Sequence, residues 1–361
     1  VKALLAGSTV AEALARPHNG FAILRLALAL MVVVSHAVSV VTGRVEDEPL
    51  VHLTGFSLGE HAVNGFFAVS GFLVTMSFDR RGWRDYVVAR SLRILPGLVA
   101  ATLVVGLGLG AAMTHLPLAE YVASPDLWRF VRGTLLSFKS HASLPGVFET
   151  NPIRSPLGTV WTLKYETICY AAVLVIGLLG LLRRRWAVPL LAAGLALALA
   201  WIEATSPAMP KGVETALRLP LIFACGACLY LWRDRVRLGG WTCLGVVLAV
   251  LLQPYAPART LLFLTESAAA IWLAFLPPLA RPALDPKADL SYGVYLYGWP
   301  VQQSLHALLP AVSASALLAP AVLLTLIVAA ASWYAVEKPA LRLKARAMGR
   351  HTLGTIEPAG P

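Results

Sequence analysis

Charge is what this chain has least of. Only 14% of its 361 residues are Asp, Glu, Lys or Arg, 58% are hydrophobic, and the mean hydropathy is +0.70. No soluble domain of this length has that composition, so a polytopic membrane protein is left. Cysteine is also scarce. Cys169, Cys225, Cys228 and Cys243 all fall in apolar runs and none in a candidate outer loop, which excludes a disulfide framework. The Cys225-x-x-Cys228 spacing has redox form, but on an apolar helix without further ligands it reads as small-residue packing, and no metal site is expected. No small-residue cleavage site follows an apolar core in the first twenty residues, so no cleaved signal peptide is expected. The internal repeats that many transporters carry are missing as well.

Acidic residues are outnumbered, 19 against 30 Lys and Arg, which gives a formal net charge of +11. In so apolar a chain that excess belongs to cytoplasmic loops and not to nucleic-acid binding. Ten apolar stretches read as spans, at about 21–43, 55–78, 94–115, 158–182, 187–203, 217–232, 238–252, 260–280, 290–309 and 315–336. Ten crossings put both termini on one side, and the Lys/Arg bias makes that side cytoplasmic. The expected fold is all-α, a single membrane domain over residues 1–350 with a flexible tail at 351–361. Residues 79–93, with five arginines, read as a cytoplasmic loop. Residues 116–157 read as the longest outer connection, ordered by its aromatic content and holding a short surface helix capped by Ser124 or Asp126.

The first span carries Arg25 and His36 inside an otherwise apolar run. Ionisable groups inside a span are costly and mark sites. Eleven helical residues leave these two ~20° apart around the axis and roughly 16 Å apart along it. Snorkelling of Arg25 and helix-bridging by His36 explain each residue singly, but not their shared face. Depth arithmetic at ~1.5 Å per residue through a ~30 Å core places His36, Asn64, Glu166 and His306 in one outer-half layer. It places Arg25, Arg90 and Arg93 at the cytoplasmic end. A cationic layer suits phosphates, and an imidazole layer suits proton transfer. A ligand with a phosphate head and a long neutral arm would join them, and a coenzyme A thioester has that shape.

These residues fall into motifs. Arg25 and His36 form R-x10-H. Phe66-Phe67-Ala-Val-Ser70-Gly71-Phe72, Arg90-Ser-Leu-Arg93, Gly158-Thr-Val-Trp161-Thr162-Leu163-Lys-Tyr-Glu166, Ser291-Tyr292-Gly-Val-Tyr295-Leu296 and Glu337-Lys338-Pro339 follow in order. Nearly the whole chain resembles the acyltransferase 3 family of integral membrane acyltransferases, of the surface or exopolysaccharide O-acetyltransferase type. The resemblance implies transfer of an acyl group, usually acetyl, from cytoplasmic acyl-CoA to a carbohydrate hydroxyl in a bacterial inner membrane. It implies no permanently bound cofactor. His36 would act as general base with Glu166 as its partner. Arg25, Arg90 and Arg93 would bind the acyl-CoA phosphates. Asn64, Ser70, Trp161, Tyr292 and Tyr295 would line the channel or the acceptor site. Expected partners are acyl-CoA, a carbohydrate or glycolipid acceptor and the bilayer, with the oligomeric state open. Two positions depart from the family: Asn64 stands where many members have Asp, and Gly298 where many have His. No fused hydrolase domain is seen, so acceptor chemistry is expected within the membrane domain. His61 and His306 have no counterpart in the motifs and read as packing or acceptor contacts. A transporter or lipid-linked sugar flippase, or a non-catalytic partner of a polysaccharide synthase, are the competing classes. The ordered motifs and the missing repeats favour the enzyme.

Overall fold

A computed structural model describes residues 7–139, 142–206, 209–252 and 258–347; the expected tail at 351–361 lies outside them. The helices that matter here are α1 (Phe21–Thr42), α2 (Leu58–Arg81), α3 (Trp83–Met113), α4 (Pro125–Ser137), α5 (Trp161–Leu178), α6 (Ala187–Thr205), α7 (Lys211–Leu231), α8 (Trp241–Leu251), α9 (Ala258–Ala274), α10 (Ser291–Leu308) and α11 (Ala314–Ser332). A two-residue antiparallel pairing of Ser8–Thr9 with Arg237–Leu238 is the only sheet among the described residues. The fold is all-α and polytopic. Seven helices are long and apolar enough to cross a membrane: α1, α2, α3, α5, α6, α7 and the continuous Ala314–Leu343.

Helices occupy the other three expected positions too. With 11 and 17 residues, α8 and α9 are short for a span. The 18 residues of α10 include two glutamines, a histidine and three tyrosines. That helix can be polar because it touches protein and not lipid: every residue from Ser291 to Pro300 is buried.

Capping and close packing set the frame. Ser57 and Glu60 form a reciprocal capping box at the start of α2, with Glu60 N donating to Ser57 Oγ at 3.1 Å and Ser57 N to Glu60 Oε2 at 3.0 Å. The most extensive helix pair is α2 with α7. There a Cβ on Gly71 would strike the Phe223 carbonyl, and one on Gly226 would strike the Ala68 carbonyl. Glycine at both positions is what lets the two backbones touch.

The third span differs from the sequence reading. Helix α3 begins at Trp83, directly after Gly82, so Arg84, Arg90 and Arg93 ride on its first turns and do not lie in a loop. Arginine is a good helix former; its charge marks the end of the hydrophobic layer, not the end of the helix. Further along, α3 widens into a π-helical stretch at Val104–Leu109. The Gly106 carbonyl within it accepts a hydrogen bond from Tyr121 Oη at 2.5 Å. The expected surface helix is α4, with Ser124 accepting from Asp126 N at 3.3 Å, and Leu127 and Phe130 are buried on its inner side.

The connection to α5 does not stay at the rim of the bundle. Asn151 Nδ2 donates to Gln303 O at 2.9 Å, Trp299 Nε1 to Ser155 O at 2.7 Å, and Thr159 Oγ1 to Tyr295 O at 3.0 Å. Each step of four residues along 151–159 matches four residues back along α10. The segment therefore descends roughly 12 Å beside that helix, at a helical rise of about 1.5 Å per residue. Gly158 is required here, since a Cβ on it would meet the Trp299 indole at 2.6–2.9 Å.

Gly226→Leu tests the α2–α7 contact. Overpacking costs about 1–3 kcal/mol, so the variant should melt several degrees lower in a detergent thermal scan read by size exclusion. Gly194→Leu, on the exposed side of α6 with nothing near its Cβ position, should melt as the wild type does. Equal melting of the two variants would contradict the close approach.

Candidate active site

Two cavities open within the bundle. The first, about 620 Å³, lies at the end where α2 stops and α3 starts. Its charged lining is five arginines (Arg25, Arg80, Arg81, Arg90 and Arg93) against two carboxylates, Glu166 and Asp289. Asp289 organises two of the five. Arg25 Nη1 lies 3.1 Å and Arg93 Nη2 3.0 Å from the same oxygen, Asp289 Oδ2, and Ser291 Oγ donates to Asp289 Oδ1 at 2.6 Å. Burial pushes the Asp289 carboxyl up, but the two guanidiniums and these hydrogen bonds outweigh it and hold the group well below the usual carboxylate range. Arg93 also sits over the Tyr292 ring at 5.6 Å, and Arg90 over the Tyr170 ring at 5.7 Å. Arg90 has no ion pair among the described residues.

A hydroxyl chain runs along the same cavity. The Tyr170 hydroxyl donates to Glu166. Ser70 Oγ lies 3.2 Å from the Tyr170 oxygen and, with that proton already committed, donates to it. Tyr292 Oη donates to Ile94 O at 2.9 Å, tying α10 to α3.

The second cavity, about 460 Å³, lies beyond the first along α1. His36 faces it. The imidazole packs edge-on to Trp299 with ring centroids 4.9 Å apart and makes no hydrogen bond through its ring among the described residues. Trp161, Tyr165 and Tyr295 supply aromatic surface, and the charges are matched, Glu48 and Glu60 against Lys211 and Arg218. Glu48 accepts from Ser35 Oγ at 2.8 Å and from Leu58 N at 2.8 Å, which fixes its carboxylate across the wall. Lys211 Nζ reaches Glu60 at 3.2 Å. Arg218 is fully buried between the Phe56 and Phe263 rings, 3.8 Å from Glu60 and 3.5 Å from Glu214.

The predicted site residues divide between these cavities. Arg25, Arg90, Arg93, Ser70 and Tyr292 line the first, His36 and Trp161 the second, and Tyr295 both. The expected pairing of Glu166 with His36 does not form: Glu166 lines the arginine cavity and bonds to Tyr170. The cause is the descending 151–159 segment. It starts α5 deep in the bundle, so Glu166 lies much nearer the basic end than depth counting from a rim start gives. Asn64 lines neither cavity. It is buried and donates to Glu266 Oε2 at 2.8 Å, while Glu266 Oε1 lies 2.5 Å from His61 Nδ1 and His61 Nε2 lies 2.7 Å from Thr54 Oγ1. An Asp at position 64 would set a second carboxylate against Glu266, which accounts for the amide. Gly298 has its reason too: Val33 Cγ2 would lie 2.6 Å from a Cβ there, so α1 fills the space a histidine would need. His306 is buried and lines neither cavity.

The sequence reading missed Asp289 and Tyr170. Asp289 had a visible signal, an acid two residues ahead of Ser291-Tyr292 at the end where unpaired arginines gather. Tyr170 had a weaker one, its position one turn after Glu166. Among the described residues no group of three or more His, Cys, Asp or Glu is placed to hold a metal.

Asp289→Asn tests the arginine clamp. A carboxyl held below its unfolded value stabilises the protein above that value and loses the contribution only as pH falls through the folded value. The deficit of the variant should therefore be constant from pH 5 to 8. Charge-assisted bonds of this kind are worth about 1.5–3 kcal/mol. Thermal scans in detergent across that range check this; a deficit that vanishes at pH 5 would mean that the carboxyl is already protonated there.

Comparison with known proteins agrees with this architecture. A family model described as an acyltransferase domain matches residues 18–336. An O-acetyl transferase of Shigella phage Sf6 is 28% identical over 310 residues, covering 79% of this chain and 85% of that protein. Nodulation protein 10 of Rhizobium leguminosarum bv. viciae is 29% identical over 364 residues, covering 92% of this chain and 96% of that one. No solved structure matches the chain. With the family model spanning every helix from α1 to α11, the chain belongs to the acyltransferase 3 family of membrane acyltransferases.

Proposed function

We propose that this protein moves an acyl group, acetyl foremost, from acyl-CoA in the arginine cavity to a carbohydrate hydroxyl in the His36 cavity. The observation that carries the reading is the placement of a polycationic cavity and an unpartnered imidazole on two sides of one thin wall. The arginine excess suits the phosphates of a nucleotide, and Arg25 and Arg93 are already oriented by Asp289. The second cavity has balanced charge and aromatic faces, which suits an uncharged sugar ring. By the positive-inside rule the arginine end is cytoplasmic, where acyl-CoA is found, and the acceptor is met from the far side of a bacterial inner membrane. The name of the phage relative supports acetyl as the group and oxygen as the acceptor atom.

In this reading neutral His36 takes the proton of the acceptor hydroxyl as its oxygen attacks the thioester carbonyl. The carbon–sulfur bond breaks, the coenzyme A thiolate leaves into the arginine cavity and takes a proton from water there, and His36 releases its proton to water on its own side. One ester and one free thiol are formed for each thioester and hydroxyl consumed. Glu166 acts on the donor side through Tyr170 and Ser70, not on His36.

Purified protein supplied with radiolabelled acetyl-CoA and a membrane extract as acceptor provides the test. His36→Ala should keep acyl-CoA binding and lose about 10²–10⁴-fold of turnover, the usual contribution of general base catalysis. Arg90→Ala should raise the acyl-CoA Kd roughly tenfold to a hundredfold, as expected for about 1.5–3 kcal/mol of charge-assisted phosphate contact. Full turnover in His36→Ala would remove the mechanism.

A further inference from the structure

The two cavities share two lining residues, Val63 of α2 and Tyr295 of α10. Both are nearly buried, at 7% and 9% exposure, so they form the wall and not a rim. Tyr295 is held rigidly. Its hydroxyl donates to Thr159 O at 3.0 Å and lies 2.5 Å from Thr162 Oγ1, while its own carbonyl accepts from Thr159 Oγ1 at 3.0 Å. The Phe66 ring meets it edge-on with centroids 6.0 Å apart. Val63 is β-branched on a helix, where one χ1 rotamer dominates. The Tyr295 ring cannot swing aside without breaking these contacts.

The proposed reaction has to cross this wall. His36 lines only the second cavity, and the arginines line only the first. Attack requires the acceptor oxygen within about 3–3.5 Å of the thioester carbonyl. With sulfur on the arginine side and oxygen on the imidazole side, the carbonyl carbon and its substituent sit at the wall itself. We infer that Val63 and Tyr295 are the acyl-length filter of this enzyme, a bore that admits the methyl of an acetyl group and turns back longer chains. This rests on the donor and acceptor sides proposed above. Interiors are packed too densely to absorb an extra methylene freely, and a pocket discriminates one methylene by about 10–200-fold.

The test compares acetyl-CoA with butyryl-CoA as donors for full-length protein in detergent, with the same membrane extract as acceptor. Binding of each donor is measured separately by titration calorimetry. Val63→Ala should raise the butyryl-to-acetyl turnover ratio at least tenfold with little change in donor affinity. Val63→Phe should bind acetyl-CoA as wild type does and lose at least a hundredfold in turnover. Tyr295→Phe, which frees the ring from Thr159 and Thr162, should shift the ratio in the same direction as Val63→Ala. Val173→Ala, a buried position of α5 that lines neither cavity, should leave the ratio at its wild-type value. Should Val63→Phe not fold, Val63→Ile adds one methylene and is expected to lower the ratio further. A ratio unmoved by Val63→Ala, or moved equally by Val173→Ala, overturns the filter while the transfer reaction stands. Wild-type protein that neither binds acetyl-CoA nor transfers from it would overturn the reaction, and the filter with it.

Discussion

Backbone that is not helical has nowhere to put its hydrogen bonds inside a bilayer, and that constraint governs this molecule. Residues 151–159 run irregularly beside α10, and that helix answers two of their carbonyls, with Trp299 Nε1 donating to Ser155 O and Tyr295 Oη to Thr159 O, while the Asn151 and Thr159 side chains donate to the Gln303 and Tyr295 carbonyls. Everything at the centre follows from this contact. It makes α10 a helix surrounded by protein, fixes where α5 begins, brings Glu166 to the arginines and clamps the ring that divides the two cavities.

Much of the fold could be read from the residues. Arg25 and His36 lie on one helix face and more than two turns apart, and the structure gives each its own cavity along that helix. Helices stand at all ten expected positions because long apolar runs are legible in a chain of this composition. Two differences share one cause, the assumption that helices start and stop at the membrane surface. Trp83 starts a helix in a run of arginines, and Trp161 starts one well inside the bundle. Neither is visible to hydropathy, which measures lipid exposure and not chain direction. Asn64 lines neither cavity for a different reason: it bonds to Glu266, which is 202 residues away in sequence and to which no local pattern points.

The cavities also differ in how they handle charge. The first leaves arginines in excess, and repulsion among them is only partly relieved by Asp289 and Glu166, so in the proposed reaction the phosphates of the donor relieve the rest. The second is neutralised internally. Arg218, buried without a hydrogen bond to its guanidinium, is balanced by Glu60 and Glu214 and covered by two phenylalanine rings. In the proposed reaction such a cavity gains nothing from a charged acceptor, and its aromatic walls suit a ring with hydroxyls.

The descending segment also sets a clock. Asn151 and its partner Gln303 are separated by 152 positions in the chain. At about 5–20 residues per second of synthesis, roughly 8–30 s pass between the appearance of the first and the second. For that interval the segment has no α10 to bind, and water has to take the place of those partners. Insertion of the loop is thus a late event, after the helix that receives it has been delivered. The two cavities become separate only then, so a ribosome that stalls before α10 leaves a bundle without its dividing wall.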